Sequence, residues 1–203
     1  NLLGDYSYTA HQAREGDAVS VVSVLAGVRN KVSPRTRVHY ARGCDVSGTA
    51  TEGFEEALEA ARKSDVVVAV AGEKSGLSPS DVSGEGRDRA SLGLPGVQEE
   101  LVKALCKTGK PVVVVLVNGR PLSIGWIAEN CHAVIEAWLP GEEGGNAVAD
   151  VLFGDYSPGG RLPVSFPREV GQVPLHYDRK PSSYRNYVFT DSKPIFPFGH
   201  GLS

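Results

Sequence analysis

Two short runs of β-branched residues constrain the fold of this chain more than any other feature. DVVVAVAG occupies residues 65–72 and PVVVVLVNG occupies residues 111–119. A continuous apolar run of this length, closed by glycine, is typical of a strand that is covered on both faces. We therefore expect two strands inside a sheet, with further elements packed above and below them.

Helical patterns alternate with these runs. TEGFEEALEAARKS and PGVQEELVKALCKTGK flank the first run, a short helix is expected in SIGWIAEN, and EEGGNAVADVLFG follows a third strand pattern, HAVIEAWLP. Strands alternating with helices at this spacing predict a parallel sheet with helices on both faces. The fold class predicted is α/β, a three-layer α/β/α sandwich with a mostly parallel sheet. The elements expected are strands near 66–71, 112–117 and 133–138 and helices near 53–63, 96–108 and 143–153.

Weaker patterns lie on either side of this region. Residues 18–29 show helical spacing, and RVHYARG at 37–43 alternates like a short strand. From residue 155 the chain is rich in proline, glycine and aromatic residues, which predicts an irregular arm with one or two short strands. We expect one domain over 1–203, with a core of about 1–154 and a C-terminal arm of about 155–203.

Charge and cysteine content narrow the function classes. The formal net charge is -3, which gives no basic field to attract nucleic acid. The longest apolar runs are too short to span a bilayer, so no membrane partner is expected. The three cysteines, Cys44, Cys106 and Cys131, form neither a metal pattern nor a disulfide framework. We expect free, partly buried thiols and no metal.

The loop after the first strand is the strongest functional signal. It runs as EKSGLSPSDVSGEGRDRASLGL from residue 73, whereas connections from strand to helix usually take 2–6 residues. In open α/β sheets, ligands gather at the carboxyl ends of the strands. The loops after the next two strands, NGRPLS and LPGEEGG, should lie on the same edge. The long loop brings four acids there: Glu73, Asp81, Glu85 and Asp88.

Proton transfer is the chemistry that remains for this edge of the sheet once the motifs for other functions are found absent. The spacings that bind phosphate, dinucleotides or calcium are absent, as is the serine hydrolase motif G-x-S-x-G. No cofactor is therefore expected, and a carboxyl that donates or accepts a proton needs little else. Glu85, between two glycines, is the first candidate, and a solvated surface acid is its other reading. Glu73 is a second candidate acid, or a structural partner for a lysine or for backbone amides.

Several joined motifs resemble one family. SGEGRDRASLGLPGVQEELV, VNGRPL, AWLPGEEGGNAVADVLFGDYSPGGRLPVSFP and FPFGHGLS are similar, in this order, to the second domain of glycoside hydrolase family 3. That family holds β-glucosidases, β-xylosidases and related exo-acting enzymes. The resemblance covers nearly the whole chain and implies an (α/β)6-sandwich. It also implies a piece of a longer enzyme, whose preceding (β/α)8 barrel is missing here.

The resemblance also implies roles. In the family the barrel supplies an aspartate nucleophile, and a loop of the sandwich supplies the general acid/base, which the E-x-x-D-R pattern places on Glu85. Asp88 and Arg89 are then expected to fix the loop, with Arg89 turned toward Asp88 or another acid. The implied substrate is a β-linked oligosaccharide or glycoside. A non-catalytic carbohydrate-binding or interaction module of the same fold is the alternative.

Further expectations concern the surroundings of Glu85. Tyr6 and Tyr8 are either packing residues or a platform on which a leaving-group sugar stacks, and Glu73 is a third candidate for substrate binding. Without a barrel, residues 73–92 should be exposed and mobile, because their glycines, prolines and charges offer little apolar area. The chain alone should hydrolyse no glycoside, since one carboxyl cannot both protonate the leaving group and attack the sugar.

Overall fold

The structure, a computed structural model, describes residues 2–4, 6–7, 19–180 and 187–202. Within these ranges, helices and strands alternate along most of the chain. In chain order the elements are α1 (Val24–Lys31), α2 (Phe54–Arg62), β1 (Val67–Gly72), α3 (Gln98–Cys106), β2 (Val112–Val117), α4 (Gly125–Asn130), β3 (Ala133–Glu136), α5 (Gly144–Phe153) and a 3₁₀ turn (Val170–Gln172).

The three strands form one parallel sheet in the order β1-β2-β3. Val67 of β1 lies opposite Val112, and Val113 of β2 lies opposite Ala133. The central strand β2 is the best buried of the three, as its unbroken apolar run predicted. The predicted strands and their parallel arrangement are thus confirmed. The expectation that the first run is covered on both faces is wrong, because β1 is an edge strand of the described sheet and its Val68 and Val70 side chains are exposed.

Helices cover both faces of the sheet. On one face, Val112, Val114 and Leu116 pack with residues of α2, α3 and α4, and all three are fully buried. On the other face, Val115 and Val117 pack with residues of α1 and α5. Burying a valine or leucine side chain contributes roughly 1.5–3 kcal/mol. The three-layer α/β/α sandwich is therefore confirmed, with β2 at its centre.

Helices α1 and α5 approach each other through glycines. A Cβ atom on Gly27 would collide with the carbonyl oxygen of Gly145, and one on Gly145 would collide with that of Ser23. Gly145 belongs to the GEEGG segment that opens α5. The two backbones can therefore touch only where neither helix carries a side chain.

Two sequence expectations fail near the N-terminal side. Residues 37–43 form no strand: they are mostly exposed and make no backbone ladder with β1. Alternation reports that a segment has two different faces, but a strand also needs a paired neighbour. Helix α1 begins at Val24 rather than near residue 18, because the Ser23 side chain accepts a hydrogen bond from Ala26 N at 3.1 Å and caps it.

The C-terminal arm packs on the sandwich. In its described part, 155–180 and 187–202, the predicted short strands reduce to one isolated antiparallel bridge between Phe166 and Phe196. Phe166 is buried in the core beside β2, and its ring meets Trp138 edge-on at 5.8 Å between centroids. The arm is irregular, but it contributes a core residue.

A large groove borders the open edge of β1. It measures about 930 Å³, is lined by the segment 35–46 and by α1 and α2, and contains none of Glu73, Glu85 and Arg89. In the described part of the chain, no helix has the length and apolar character that crossing a membrane requires.

Candidate active site

The three strands end along one edge of the sheet. Glu73 follows β1 directly, Asn118 follows β2, and Glu136 is the last residue of β3. The parallel pairing places Gly72 opposite Val117 and Leu116 opposite Glu136, so these polar side chains share a row. This is the edge at which an open α/β sheet collects its ligands.

The long loop, residues 73–97, is closed at its base by Gln98. The side-chain oxygen of Gln98 accepts a hydrogen bond from Gly72 N at 2.9 Å. Its amide nitrogen donates to Gly72 O at 2.8 Å and to Pro95 O at 3.2 Å. One buried side chain therefore joins the residue before the loop to the residues at its end.

A buried cluster of one acid and two arginines lies under the loop. The Glu73 side chain is 0% exposed, and its Oε1 accepts a hydrogen bond from Arg89 Nη1 at 2.7 Å. Its Oε2 lies 3.2 Å from Arg120 Nε, an ion pair without hydrogen-bond geometry. A carboxylate this deeply enclosed is neutralised by cations rather than by water.

The two arginines extend the cluster to the loop backbone. Arg89 Nη2 donates to Gly93 O at 3.1 Å, and Arg120 Nη2 donates to Arg87 O at 3.3 Å. Glu73 is thus a structural partner, as one reading held, but its partners are arginines and not a lysine. Burial keeps it from the surface, which argues against Glu73 as a substrate-binding residue.

The first half of the loop is also folded. Lys74 Nζ pairs with Asp81 Oδ1 at 2.8 Å, and Asp81 Oδ2 accepts a hydrogen bond from Ser78 N at 2.7 Å. Burial alone would raise the pKa of Asp81, but the bonds from Lys74 and Ser78 outweigh it and hold that pKa below its usual value. Asp81, Ser75 and Ser83 are buried, whereas residues 77–80 and Glu85 are exposed, so the expectation of an exposed loop holds for only part of it.

Glu85 stands on the exposed tip of the loop. Gly84 and Gly86 have φ angles of 112° and 67°, which favour glycine, and Arg87 N donates to Gly84 O at 3.2 Å to close the turn. The Glu85 side chain is exposed. Tyr6 Oη donates a hydrogen bond to Glu85 Oε2 at 3.0 Å.

The remaining predicted site residues take different places. Asp88 is exposed and, within the described residues, has no ion pair; the acid that Arg89 meets is Glu73. Asp88 and Arg89 both line a shallow concavity of about 350 Å³ beside the turn. Tyr6 is 74% exposed, so it is not a packing residue here. Tyr8 lies outside the described residues.

Glu136 and its partners belong to the same edge, although no sequence motif marks them. Glu136 Oε1 accepts a hydrogen bond from Trp138 N at 2.9 Å, and Oε2 accepts one from Asn118 Nδ2 at 3.3 Å. Burial raises the pKa of Glu136 to about 7, and the charge of Glu73 adds to the rise. An acid at the end of a buried strand was the available signal, but nothing in the sequence told it from a surface acid.

The backbone of Trp138, two residues after Glu136, has an unusual conformation. Its φ angle is 51°, the one positive φ found at a described residue other than glycine. Such a conformation costs about 1–3 kcal/mol and persists where the surroundings impose it. Here the N–H is held by Glu136, and the carbonyl accepts a hydrogen bond from Asn118 N at 3.2 Å.

The edge is suited to proton transfer by an exposed carboxyl. Among the described residues, no three His, Cys, Asp or Glu side chains are placed to hold a metal ion. What the geometry offers is one accessible acid on a short turn, above buried charges that fix the loop.

Comparison with known proteins gives a consistent pattern. The model of the glycosyl hydrolase family 3 C-terminal domain matches residues 1–203. A β-xylosidase of Formosa agariphila is 51% identical over 206 residues, which cover 100% of this chain and 27% of that protein. A periplasmic β-glucosidase of Salmonella typhimurium is 39% identical over 93% of this chain and 28% of its own length.

Solved structures share the fold. A β-glucosidase involved in saponin metabolism from intestinal bacteria superposes with a TM-score of 0.87 and 28% identity, over 100% of this chain and 32% of that one. A β-glucosidase of Erythrobacter marinus gives a TM-score of 0.77 and 38% identity, over 91% of this chain and 28% of that one. The chain thus spans between a quarter and a third of the length of each of these four proteins.

Proposed function

The chain belongs to glycosyl hydrolase family 3, as the C-terminal domain of that family, and we propose that it supplies Glu85 as the general acid/base of a retaining β-glycosidase. The observation that carries this proposal is the placement of Glu85. It is an exposed acid on a glycine-flanked turn at the ligand-collecting edge of the sheet. The β-xylosidase and β-glucosidase names of the relatives support a β-linked glycoside as substrate.

The reaction requires a second carboxyl. In a retaining glycosidase the two carboxyls stand about 5–5.5 Å apart, one attacking the anomeric carbon and the other protonating the leaving oxygen. We assign the nucleophile, an aspartate, to a preceding (β/α)8 barrel, in line with the resemblance and with relatives about four times longer than their match. Barrel sites lie at the carboxyl ends of strands, as this one does.

Glu85 would act in both steps. In the first it gives its proton to the leaving oxygen, and in the second it takes one from the attacking water. The two arginines that follow Glu85 have partners elsewhere: the Arg89 guanidinium is engaged by Glu73 and Gly93, and Arg87 Nη2 donates to Leu77 O. Tyr6 Oη, which donates to Glu85 Oε2, would help to fix the orientation of this carboxyl.

The test is Glu85→Gln in the full-length enzyme. For alkyl glycosides and disaccharides, whose leaving groups need a proton, we expect kcat/KM to fall about 10²–10⁴-fold. Dinitrophenyl glycosides should keep their bond-cleavage rate, because dinitrophenolate leaves unaided. Azide should accelerate the second step, since a small anion needs no general base.

The matched control is Asp88→Asn, another exposed acid of the same loop. Asp88→Asn should change kcat/KM by the same factor for every leaving group. If Glu85→Gln also lowered kcat/KM by the same factor for every leaving group, or did not lower it at all, Glu85 would not be the acid. The chain would then be a binding or interaction module on the rim of the cleft.

A further inference from the structure

Two of the three cysteines meet at the edge of the sheet opposite the candidate site. Cys106 is the last residue of α3, and Cys131 directly follows α4 and precedes β3. Their sulfur atoms are 3.7 Å apart, although the residues are 25 positions apart in the chain. Both side chains are half-buried against the core and free in the structure.

This separation is short enough for covalent closure. A disulfide needs sulfurs about 2.05 Å apart, so the two sulfurs, now 3.7 Å apart, must approach by about 1.7 Å. Cys44 is not part of the pair: it lies in the segment that borders the open edge of β1. We propose that Cys106 and Cys131 form a redox-active dithiol, which a small disulfide such as oxidised glutathione converts into a structural disulfide.

The order of the steps follows from the environment of Cys131. Burial, with the hydrogen bond and the charge of Cys106, raises the pKa of the Cys131 thiol to about 12. Cys131 therefore keeps its proton near neutral pH, which leaves the first attack to the Cys106 sulfur.

The exchange is balanced in two steps. The Cys106 sulfur attacks one sulfur of the external disulfide, and a mixed disulfide forms as one small thiolate leaves. Cys131 then loses its proton to solvent and attacks the Cys106 sulfur, which releases the second small thiol. The protein loses two electrons and two protons, and the external disulfide gains them as two thiols.

The position of the pair predicts a disulfide that stabilises the fold and does not regulate catalysis. His132, next to Cys131, accepts a hydrogen bond from Val112 N at 3.2 Å, so the pair lies where β2 and β3 begin. Glu73, Asn118 and Glu136 lie where the strands end. A bond between Cys106 and Cys131 would tie α3 to the start of β3 while leaving the candidate site untouched.

The test uses the full-length protein, treated with oxidised glutathione or with a reductant, then alkylated and digested with trypsin. Lys110 and Arg120 precede proline and resist cleavage, so Cys106 falls in peptide 104–107 and Cys131 in peptide 108–161. After oxidation we expect these two peptides linked, two hydrogens lighter than the reduced pair. In Cys131→Ser, the mixed disulfide should stay on Cys106.

Stability supplies a second measurement. Closing this loop should raise the Tm by about 5–10 °C, with unchanged kcat/KM. The rise should be absent in Cys131→Ser and present in Cys44→Ser. Full alkylation of Cys106 and Cys131 after oxidation would overturn the proposal, as would a link that involves Cys44.

Discussion

The buried Glu73–Arg89 pair should set how firmly the loop that carries Glu85 is held. Arg89→Ala removes a cation that is 16% exposed from a carboxylate that is 0% exposed. Removing one partner of a buried pair typically costs 3–5 kcal/mol. Arg120 remains 3.2 Å from Glu73 and still neutralises part of the charge, so we expect about 2–3 kcal/mol.

This loss should appear as opening of the loop before the sheet unfolds. Amide hydrogen exchange reports such opening directly, because Arg87 N and Val82 N are hydrogen-bonded within the loop. A change of 2–3 kcal/mol corresponds to exchange about 30–150 times faster. Arg89→Lys keeps the charge but cannot span both Glu73 and Gly93, so it should lose about 1 kcal/mol.

The matched control is Arg87→Ala in the same loop. Arg87 makes one exposed hydrogen bond, from Nη2 to Leu77 O at 3.3 Å, so its loss should change exchange by less than about threefold. Exchange in Arg89→Ala that matches the control would refute the view that the buried pair holds the loop. Faster exchange in β2 to the same degree would refute a local effect.

Two further outcomes follow from other parts of the molecule. Because its pKa is raised, Glu136 in the folded protein holds its proton up to about pH 7. The protonated side chain therefore contributes its full share of stability below the ordinary pKa of about 4.5, and this share is lost as the pH rises through 7. Glu136→Gln should therefore gain stability relative to the parent between pH 5 and pH 8, by up to about 3 kcal/mol, and a Tm difference that is constant with pH would contradict this. Gly27→Ala should cost more than about 2 kcal/mol, because the added carbon meets the carbonyl of Gly145, whereas Gly160→Ala, with open space around it, should change the Tm little. Equal Tm values for the two alanine variants would refute the close approach of α1 and α5.

The sheet could be predicted from the sequence because each strand has a local apolar pattern. β2 is apolar at every position and buried, and the helices before and after it carry clear amphipathic patterns. The segment 37–43 shows the limit of this reasoning. Its alternation is real, but pairing with β1 depends on geometry that no local pattern encodes.

The site could be predicted only in part, for the same reason. The length and composition of the loop singled out Glu85, and its catalytic role stays a prediction. The partners of Glu73 could not be predicted, because Arg120 lies beyond the next helix and strand and meets the acid only in the folded chain. The buried state of Glu136 likewise depends on the whole edge of the sheet.

Gln98 holds the two ends of the long loop together, and this affects how the loop can change in evolution. Because Gln98 binds both Gly72 and Pro95, the two ends of the loop stay together whatever lies between them. Once its ends are fixed, doubling a loop's length adds only about 0.6 kcal/mol of closure entropy. Insertions near the exposed residues 77–80 can therefore reshape the surface of the loop that carries Glu85, while the sheet beneath stays the same.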